Sequence, residues 1–172
     1  SEIVVQKFGG TSVGTVDRID SVAEIIKNAS KSNKIVVVVS AMGGETNRLV
    51  DLAKAFGDDP DKREFDALVS TGETVSSALL TMALHSKGVK AKSFSASQIS
   101  MRTTSSYSKA KILDVDAKKI LDVVENDTIP IITGFQGVTE GGDVTTLGRG
   151  GSDTTAVAIA AQIAATRCDI FT

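Results

Sequence analysis

One short stretch of the chain combines the residue types that bind anions. Residues 148–155 read Gly-Arg-Gly-Gly-Ser-Asp-Thr-Thr, and a run of small apolar residues follows at 156–165. Glycine lets a backbone approach a ligand and take positive φ, and Ser, Asp and Thr favour a helix N-cap. The N–H groups and the dipole at a helix start attract anions, and an arginine fork recognises carboxylate or phosphate in a bidentate manner. We therefore predict an anion site with Arg149 as its clamp; the alternative is an ordinary glycine turn that caps a helix.

Two other glycine-bearing segments supply further candidates. Lys7 comes just before a Gly-Gly-Thr-Ser segment at residues 9–12, where its ammonium would meet phosphate held by glycine N–H groups. The alternative is a strand-end lysine in solvent. Residues 40–47 form the other segment, in which Thr46 either donates its hydroxyl to a ligand or caps a helix that starts near Asn47.

Two carboxylates are also candidates. Asp153 closely follows Arg149 and is a candidate ligand for Mg²⁺, partner for a lysine or contact for a substrate group; its alternative role is the helix N-cap. Glu73 is flanked by small residues, so a partner such as a substrate ammonium has space beside it. Periodicity alone favours a plain surface glutamate at this position.

Hydrophobic periodicity predicts the elements that must position these residues. Strands are expected at residues 3–8, 34–40, 89–94, 129–133 and 168–171. Helices are expected at residues 19–29, 49–56, 65–88, 115–124 and 156–165. Residues 136–147 are typical of a hairpin, whereas the Ser/Thr-rich residues 95–108 lack periodicity and are expected to be irregular.

The order of these elements predicts the α/β class, with a largely parallel sheet between layers of helices. Ligands of such sheets bind outside the carboxyl ends of the strands. The loops at residues 9–12, 40–47 and 134–155 leave such ends. We therefore expect the three loops to converge on one edge of the sheet and to form a site there.

Composition excludes several classes of function. The net charge of −2 and the aromatic content of 4% argue against nucleic-acid binding. The longest apolar runs have about six residues, far below the roughly 20 that cross a bilayer, so no membrane is expected. A single Cys and the absence of a signal-peptide pattern favour a cytoplasmic protein. One His and one Cys are too few for a His/Cys metal centre, and no P-loop pattern occurs.

Six blocks of the sequence resemble one known family. They are Lys-Phe-Gly-Gly-Thr-Ser at residues 7–12, Ser-Ala-Met-Gly at 40–43, Thr-Asn at 46–47, Ser-Thr-Gly-Glu at 70–73, Gly-Phe at 134–135 and Gly-Arg-Gly-Gly-Ser-Asp-Thr at 148–154. Together they closely resemble the aspartokinases over essentially all 172 residues. The resemblance implies the amino-acid kinase fold, a three-layer αβα sandwich with a mainly parallel sheet. It also implies ATP-dependent phosphorylation of L-aspartate to 4-phospho-L-aspartate, the first step toward lysine, threonine and methionine.

The same resemblance implies roles for individual residues. Lys7 and Asp153 are the expected catalytic residues, because Lys7 would stabilise the transferring phosphoryl group and Asp153 would position the reacting groups. The expected ATP and phosphate contacts are Lys7, Phe8, Gly9, Gly10, Ser12 and Ser40. The expected aspartate contacts are Thr46, Glu73, Arg149, Gly150, Gly151 and Ser152. Mg²⁺ would be held mainly by the ATP phosphates, so no metal ligand is assigned to the chain.

Aspartokinases continue beyond the region that this chain resembles. The resemblance therefore implies that residues 1–172 are the N-terminal portion of an amino-acid kinase catalytic domain, without its adenine-binding half and regulatory region. We expect this chain alone to bind ATP poorly, and to associate as a homo-oligomer or with the remainder of the protein through the edge strand near Phe171. The alternative functions are a kinase for glutamate, acetylglutamate, a nucleotide monophosphate or another small acidic acceptor, and an aspartate-binding fragment without turnover.

Overall fold

Nine strands and six helices lie within residues 2–172, which are the residues described by the computed structural model. In chain order the elements are β1 (Ile3–Phe8), α1 (Val16–Ala29), β2 (Lys34–Val39), α2 (Glu45–Ala53), α3 (Lys62–Val69), α4 (Thr71–Ser86), β3 (Ala91–Phe94), β4 (Arg102–Thr103), β5 (Ile112–Asp114), α5 (Ala117–Glu125), β6 (Ile129–Thr133), β7 (Gln136–Val138), β8 (Val144–Thr146), α6 (Gly151–Gln162) and β9 (Arg167–Phe171).

The central sheet has five parallel strands in the order β3-β6-β2-β1-β9. β2 has the sequence Lys-Ile-Val-Val-Val-Val, and its β-branched residues suit a strand buried on both faces. In register, Lys7 lies beside Val38 of β2 and Ile170 of β9. The predicted mainly parallel sheet is confirmed, and β9 is the predicted edge strand of the sheet in the described residues.

Helices cover both faces of this sheet and form two hydrophobic clusters. On one face, Val4 and Phe8 of β1 pack with apolar residues of α1 and α4, such as Ile26 and Leu84. On the other face, strand residues pack with apolar residues of α5 and α6, such as Ile159. Alternate residues of one strand thus enter opposite layers, and the result is the predicted three-layer αβα sandwich. Lys7 lies on the α6 face because it is one residue away from Phe8.

A second sheet of four strands, in the order β5-β4-β7-β8, stands beside the carboxyl end of the first. The predicted hairpin is confirmed as the antiparallel pair β7 and β8. The prediction of an irregular segment at residues 95–108 is wrong in part, because β4 lies within it, and β5 was not predicted. Strands of two and three residues are too short to show a period of two. They form through tertiary contacts such as the 2.6 Å hydrogen bond between the Thr103 and Thr145 hydroxyls.

The helix predicted at residues 65–88 is two helices, α3 and α4, which meet at Ser70. The Ser70 carbonyl accepts a 2.6 Å hydrogen bond from the Gln136 side chain, which is a tertiary contact that no local pattern reveals. Taken together, the two consecutive helices at Lys62–Ser86 are long and apolar enough to cross a membrane by length and composition, and 50% of their most apolar window is buried inside the fold. Core helices commonly meet that criterion.

Candidate active site

The three predicted loops meet at the carboxyl ends of β1, β2 and β6 and enclose a cavity of about 700 Å³. We call it the strand-end cavity. Ten of the residues singled out in the sequence line it: Lys7, Gly10, Ser40, Thr46, Glu73, Arg149, Gly150, Gly151, Ser152 and Asp153. The cavity therefore brings together one ammonium, one guanidinium and two carboxylates. The roles of these residues stay predictions at this point.

Lys7 is the buried cation of the cavity. It is 8% exposed, and its Nζ lies 2.8 Å from Asp153 Oδ1. The interpretation of Lys7 as a strand-end lysine in solvent is therefore wrong. Asp153 approaches from the first turn of α6, and its side chain is 53% exposed. The ion pair thus joins the end of β1 to the start of α6 and holds the ammonium at the sheet edge.

Neither Asp153 nor Thr46 is a helix N-cap, so both capping alternatives are wrong. The N-cap of α6 is Gly150 with φ 73°, and the N-cap of α2 is Gly44 with φ 82°. Both helices therefore begin from a glycine in the left-handed conformation, which other residues adopt only at an energetic cost. No side chain caps either helix start. The first N–H groups, those of Glu45 and Gly151, donate to the Met42 and Gly148 carbonyls, so the next N–H groups of both helices are the ones available at the cavity.

The first two loops touch through their backbones. A Cβ added to Gly43 would lie 3.2 Å from the Gly10 carbonyl oxygen, and one added to Gly10 would lie 3.3 Å from the Ala41 carbonyl oxygen. Larger residues would push these loops apart. The glycines thus keep backbone N–H groups close to the end of β1, which suits a bound phosphate.

Glu73 is a buried residue, so the interpretation of it as a surface glutamate is wrong. It is 3% exposed, because α4 approaches the β2 loop so closely that a Cβ on Gly72 would lie 2.7 Å from Ala41 Cβ. Glu73 Oε2 accepts a 3.2 Å hydrogen bond from the Ala41 N–H. Its Oε1 has no hydrogen-bond partner among residues 2–172.

Burial raises the pKa of Glu73 to about 8, although backbone N–H groups of Glu73 and Ala41 act in the opposite direction. The carboxyl group is therefore mostly protonated at neutral pH in the absence of a cation. A ligand ammonium beside Oε1 would favour the ionised form. Unsatisfied buried oxygen atoms are uncommon, and the residue that carries this one lines the cavity.

Arg149 is exposed at the tip of its loop and forms no ion pair with residues 2–172. Gly148 and Gly150 on either side take φ values of 85° and 73°. The guanidinium is thus presented to the cavity by a turn that two glycines make possible. Its five N–H donors suit a planar anion such as a carboxylate.

Phe8, Gly9 and Ser12 do not line the strand-end cavity; they connect the end of β1 to the end of β9. The Phe8 ring stacks on Phe171 with a centroid distance of 4.6 Å. The Gly9 N–H donates to the Phe171 carbonyl at 2.9 Å, and the Ser12 hydroxyl donates to the Thr172 carbonyl. Their expected contact with phosphate stays a prediction.

Several cavity residues were missed in the sequence. Phe65, Val69, Ser108 and Thr146 line the cavity. A further missed residue, Asp66, is fully buried beneath it. The sequence did contain a signal for Asp66. This carboxylate lies between Phe65 and Val69 and interrupts the apolar face of a helix. Ser108 had no signal, since its loop reaches the cavity only through tertiary folding.

We expect Gly134→Ala to destabilise the protein by about 1–3 kcal/mol. A Cβ at Gly134 would lie 2.6 Å from Ser152 Oγ and 2.9 Å from the Val39 carbonyl oxygen. Gly141→Ala is the matched control, because a Cβ there meets only Thr139 Oγ1, at 3.8 Å, and the expected change is within about 0.5 kcal/mol. Urea denaturation measures both changes. Equal unfolding midpoints for the two variants would show that α6 does not pack tightly on the β6 exit.

The fold and the site together define a class of protein, and comparison with known proteins names it. A model described as the amino acid kinase family matches residues 2–172, and the chain belongs to that family. Within it, the chain is 54% identical over 171 residues to an aspartate kinase of Stutzerimonas stutzeri; the match covers 99% of this chain and 42% of that protein.

Solved structures give the same result. E. coli aspartokinase III in complex with lysine and aspartate superposes with a TM-score of 0.90 at 30% identity, over 100% of this chain and 49% of that one. The same enzyme in complex with aspartate and ADP has a TM-score of 0.90 at 29% identity, over 98% and 48% of the two chains. The predicted amino-acid kinase fold is confirmed. The chain spans 42% of the length of the curated relative that it matches.

Proposed function

We propose that the strand-end cavity holds L-aspartate and the transferring phosphoryl group of ATP. The protein that contains this chain would then catalyse ATP-dependent phosphorylation of the aspartate β-carboxylate. The observation that carries the proposal is the lining of a single cavity by Lys7, Arg149 and Glu73. The solved E. coli relative in complex with aspartate and ADP supports the same pair of ligands.

The acceptor end of the cavity suits an α-amino acid. Arg149 binds the α-carboxylate through its guanidinium fork. Glu73 binds the α-ammonium, which supplies the missing partner of its Oε1. With these two groups fixed, the β-carboxylate of aspartate lies toward Lys7. Thr46 and Ser40 also line the cavity and add hydroxyl contacts.

The donor end suits a phosphoryl group. Phosphoryl transfer depends mainly on positioning and on stabilisation of charge. Lys7 neutralises charge on the transferring group, and N–H groups of the glycine loops bind its oxygens. Asp153 positions Lys7 through the 2.8 Å ion pair. In this proposal, Mg²⁺ is held mainly by the ATP phosphates. We assign the adenine contacts to the length of the relatives that lies outside this match.

An acceptor assay tests the proposed function. Hydroxylamine traps an acyl phosphate as a hydroxamate, so the intact protein is incubated with ATP, Mg²⁺, hydroxylamine and one acceptor at a time. We expect aspartate to yield the β-hydroxamate and glutamate, acetylglutamate and a nucleotide monophosphate to yield little or no product. Faster ATP consumption with another acceptor would assign a different kinase activity. If aspartate binds and is not phosphorylated, the function of the protein is aspartate binding and not catalysis.

Aspartate binding is expected to release a proton from Glu73. Because the pKa of Glu73 is raised to about 8, the carboxyl group is mostly protonated at pH 7 before the substrate ammonium arrives. The ammonium favours the carboxylate and lowers that pKa, so affinity for aspartate rises as the pH increases toward 8. Calorimetric titration in two buffers of different ionisation enthalpy counts the protons. Glu73→Gln is the matched control, and equal proton release by the variant and the wild type would assign the release to another group.

A further inference from the structure

Asp66 is a carboxylate that the proposed reaction does not use. It lies on α3 and is 0% exposed. Its neighbours Phe65 and Val69 on the same helix line the strand-end cavity. Burial of a carboxylate is costly unless hydrogen bonds satisfy its oxygens, so the partners of Asp66 show what its position achieves.

Three hydrogen bonds satisfy the Asp66 carboxylate. Oδ2 accepts from the Ser108 N–H at 2.8 Å and from the Thr146 N–H at 2.8 Å, and Oδ1 accepts from the Thr146 hydroxyl at 2.9 Å. Ser108 and Thr146 both line the cavity. Asp66 therefore joins α3 to two separate segments of the cavity wall, which come from the loop before β5 and from the end of β8.

The segment that Asp66 holds through Thr146 leads directly to the loop that carries Arg149. Thr146 is the last residue of β8, and Arg149 follows three positions later. Gly148 between them packs on the other held segment, since its Cβ position lies 3.2 Å from the Ser108 carbonyl oxygen. The Thr146 carbonyl also accepts from the Ala110 N–H at 3.0 Å. The base of the loop is thus fixed to α3 and to residues 108–110, whereas Arg149 itself is exposed.

We propose that Asp66 is a positioning residue for Arg149, and that it sets the affinity for the amino-acid substrate without touching it. The inference rests on the proposed function, because it assigns Arg149 to the α-carboxylate of aspartate. In this arrangement, Asp66 fixes the start of the Arg149 loop in the wall of the cavity that Glu73 also lines. The donor end of the cavity depends mainly on Lys7, whose partner Asp153 lies beyond this loop in the first turn of α6.

Two substitutions separate this role from a general contribution to folding. Asp66→Leu keeps the branch at Cγ, with a larger volume, but leaves the Ser108 and Thr146 N–H groups without an acceptor. Asp66→Asn keeps an oxygen for both N–H groups, and its amide donates to the Thr146 hydroxyl, which accepts as well as donates. The asparagine variant therefore retains all three connections with one of them reversed.

In the intact protein, we expect Asp66→Leu to raise the KM for aspartate about tenfold or more, because small displacements of a binding group have large effects. We expect the KM for ATP to change less than about twofold and kcat less than about threefold. Asp66→Asn should keep the KM for aspartate within about threefold of the wild-type value. Faster hydrogen exchange at the Ser108 and Thr146 amides should accompany the leucine substitution alone.

Asp143→Leu is the matched control. Asp143 accepts hydrogen bonds from Arg63 and from the Tyr107 hydroxyl, both at 2.8 Å, so it joins the same helix and the same loop at a site away from the cavity. Its substitution should lower the melting temperature without changing the KM for aspartate. If Asp66→Leu does not fold, Asp66→Glu takes its place in the kinetic comparison. The longer glutamate side chain keeps the charge but displaces the segments at Ser108 and Thr146.

Three results would overturn the inference. Unchanged KM for aspartate in a folded Asp66→Leu or Asp66→Glu variant would leave Asp66 a structural role only. Equal increases of the KM for aspartate in the asparagine and leucine variants would assign the increase to loss of the negative charge of Asp66. An equal increase of the KM for aspartate in the Asp143→Leu variant would assign the increase to a loss of protein stability. Failure of the proposed function looks different, because the wild-type protein would then show no aspartate phosphorylation at all.

Discussion

Lys7→Ala is expected to lower kcat on the order of 10³-fold, which is the scale for loss of a preorganised group that stabilises transition-state charge. Lys7 is the buried cation at the end of β1, where its Nζ lies 2.8 Å from Asp153. Its removal takes away the charge that neutralises the transferring phosphoryl group and leaves Asp153 facing that group without a counter-ion. We expect the KM for aspartate to change less than about threefold, because Arg149 and Glu73 remain. Steady-state kinetics of the intact protein measure both parameters.

The control for this variant is Lys92→Ala in β3. Lys92 is an exposed lysine in the same sheet, with its Nζ 5.5 Å from the centre of the Phe94 ring. The same change of charge there should leave both kinetic parameters unchanged. A Lys7→Ala variant that retains wild-type kcat would refute the role of the ammonium in phosphoryl transfer, whatever its effect on KM.

Arg149→Ala is expected to raise the KM for aspartate about 100-fold, with kcat at saturating aspartate within about fivefold of the wild-type value. Arg149 lies at the exposed tip of its loop and has no ion pair within residues 2–172 to lose. The substitution therefore removes substrate contacts without breaking an interaction of the free protein. Stability should stay within about 0.5 kcal/mol of wild type.

Arg149→Lys separates charge from geometry, because lysine keeps the positive charge but loses the planar fork. We expect it to restore part of the affinity and to give a KM between those of alanine and wild type. Arg102→Ala in β4 is the control, since Arg102 is exposed and does not line the strand-end cavity. If Arg149→Ala lowers kcat and leaves the KM for aspartate unchanged, the guanidinium acts on the transferring phosphoryl group and not on the acceptor.

Much of the fold followed from local signals in the sequence. The valine run of β2 and the helical spacing of α1 predict their elements because each buries a regular apolar face. The boundary between α3 and α4 did not follow; Ser70, which lies at it, accepts a hydrogen bond from Gln136, 66 positions away in the chain. β4 and β5 were also missed, because short strands obtain their stability from neighbours that are distant in the chain.

The candidate site divides in the same way. Gly150, Arg149 and Lys7 were found because glycine loops and strand ends have recognisable composition. The burial of Glu73 was not, since it results from the approach of α4 to Ala41 that the missing side chain of Gly72 permits. Asp66 was missed because its donors are 42 and 80 positions away in the chain.

A crystal structure of the protein with bound L-aspartate tests the central claim most directly. We expect one carboxylate within about 3 Å of the Arg149 guanidinium, the ammonium within about 3 Å of Glu73 Oε1, and the other carboxylate directed toward Lys7. Aspartate bound outside the strand-end cavity, or bound within it without contact to both Arg149 and Glu73, would contradict the account.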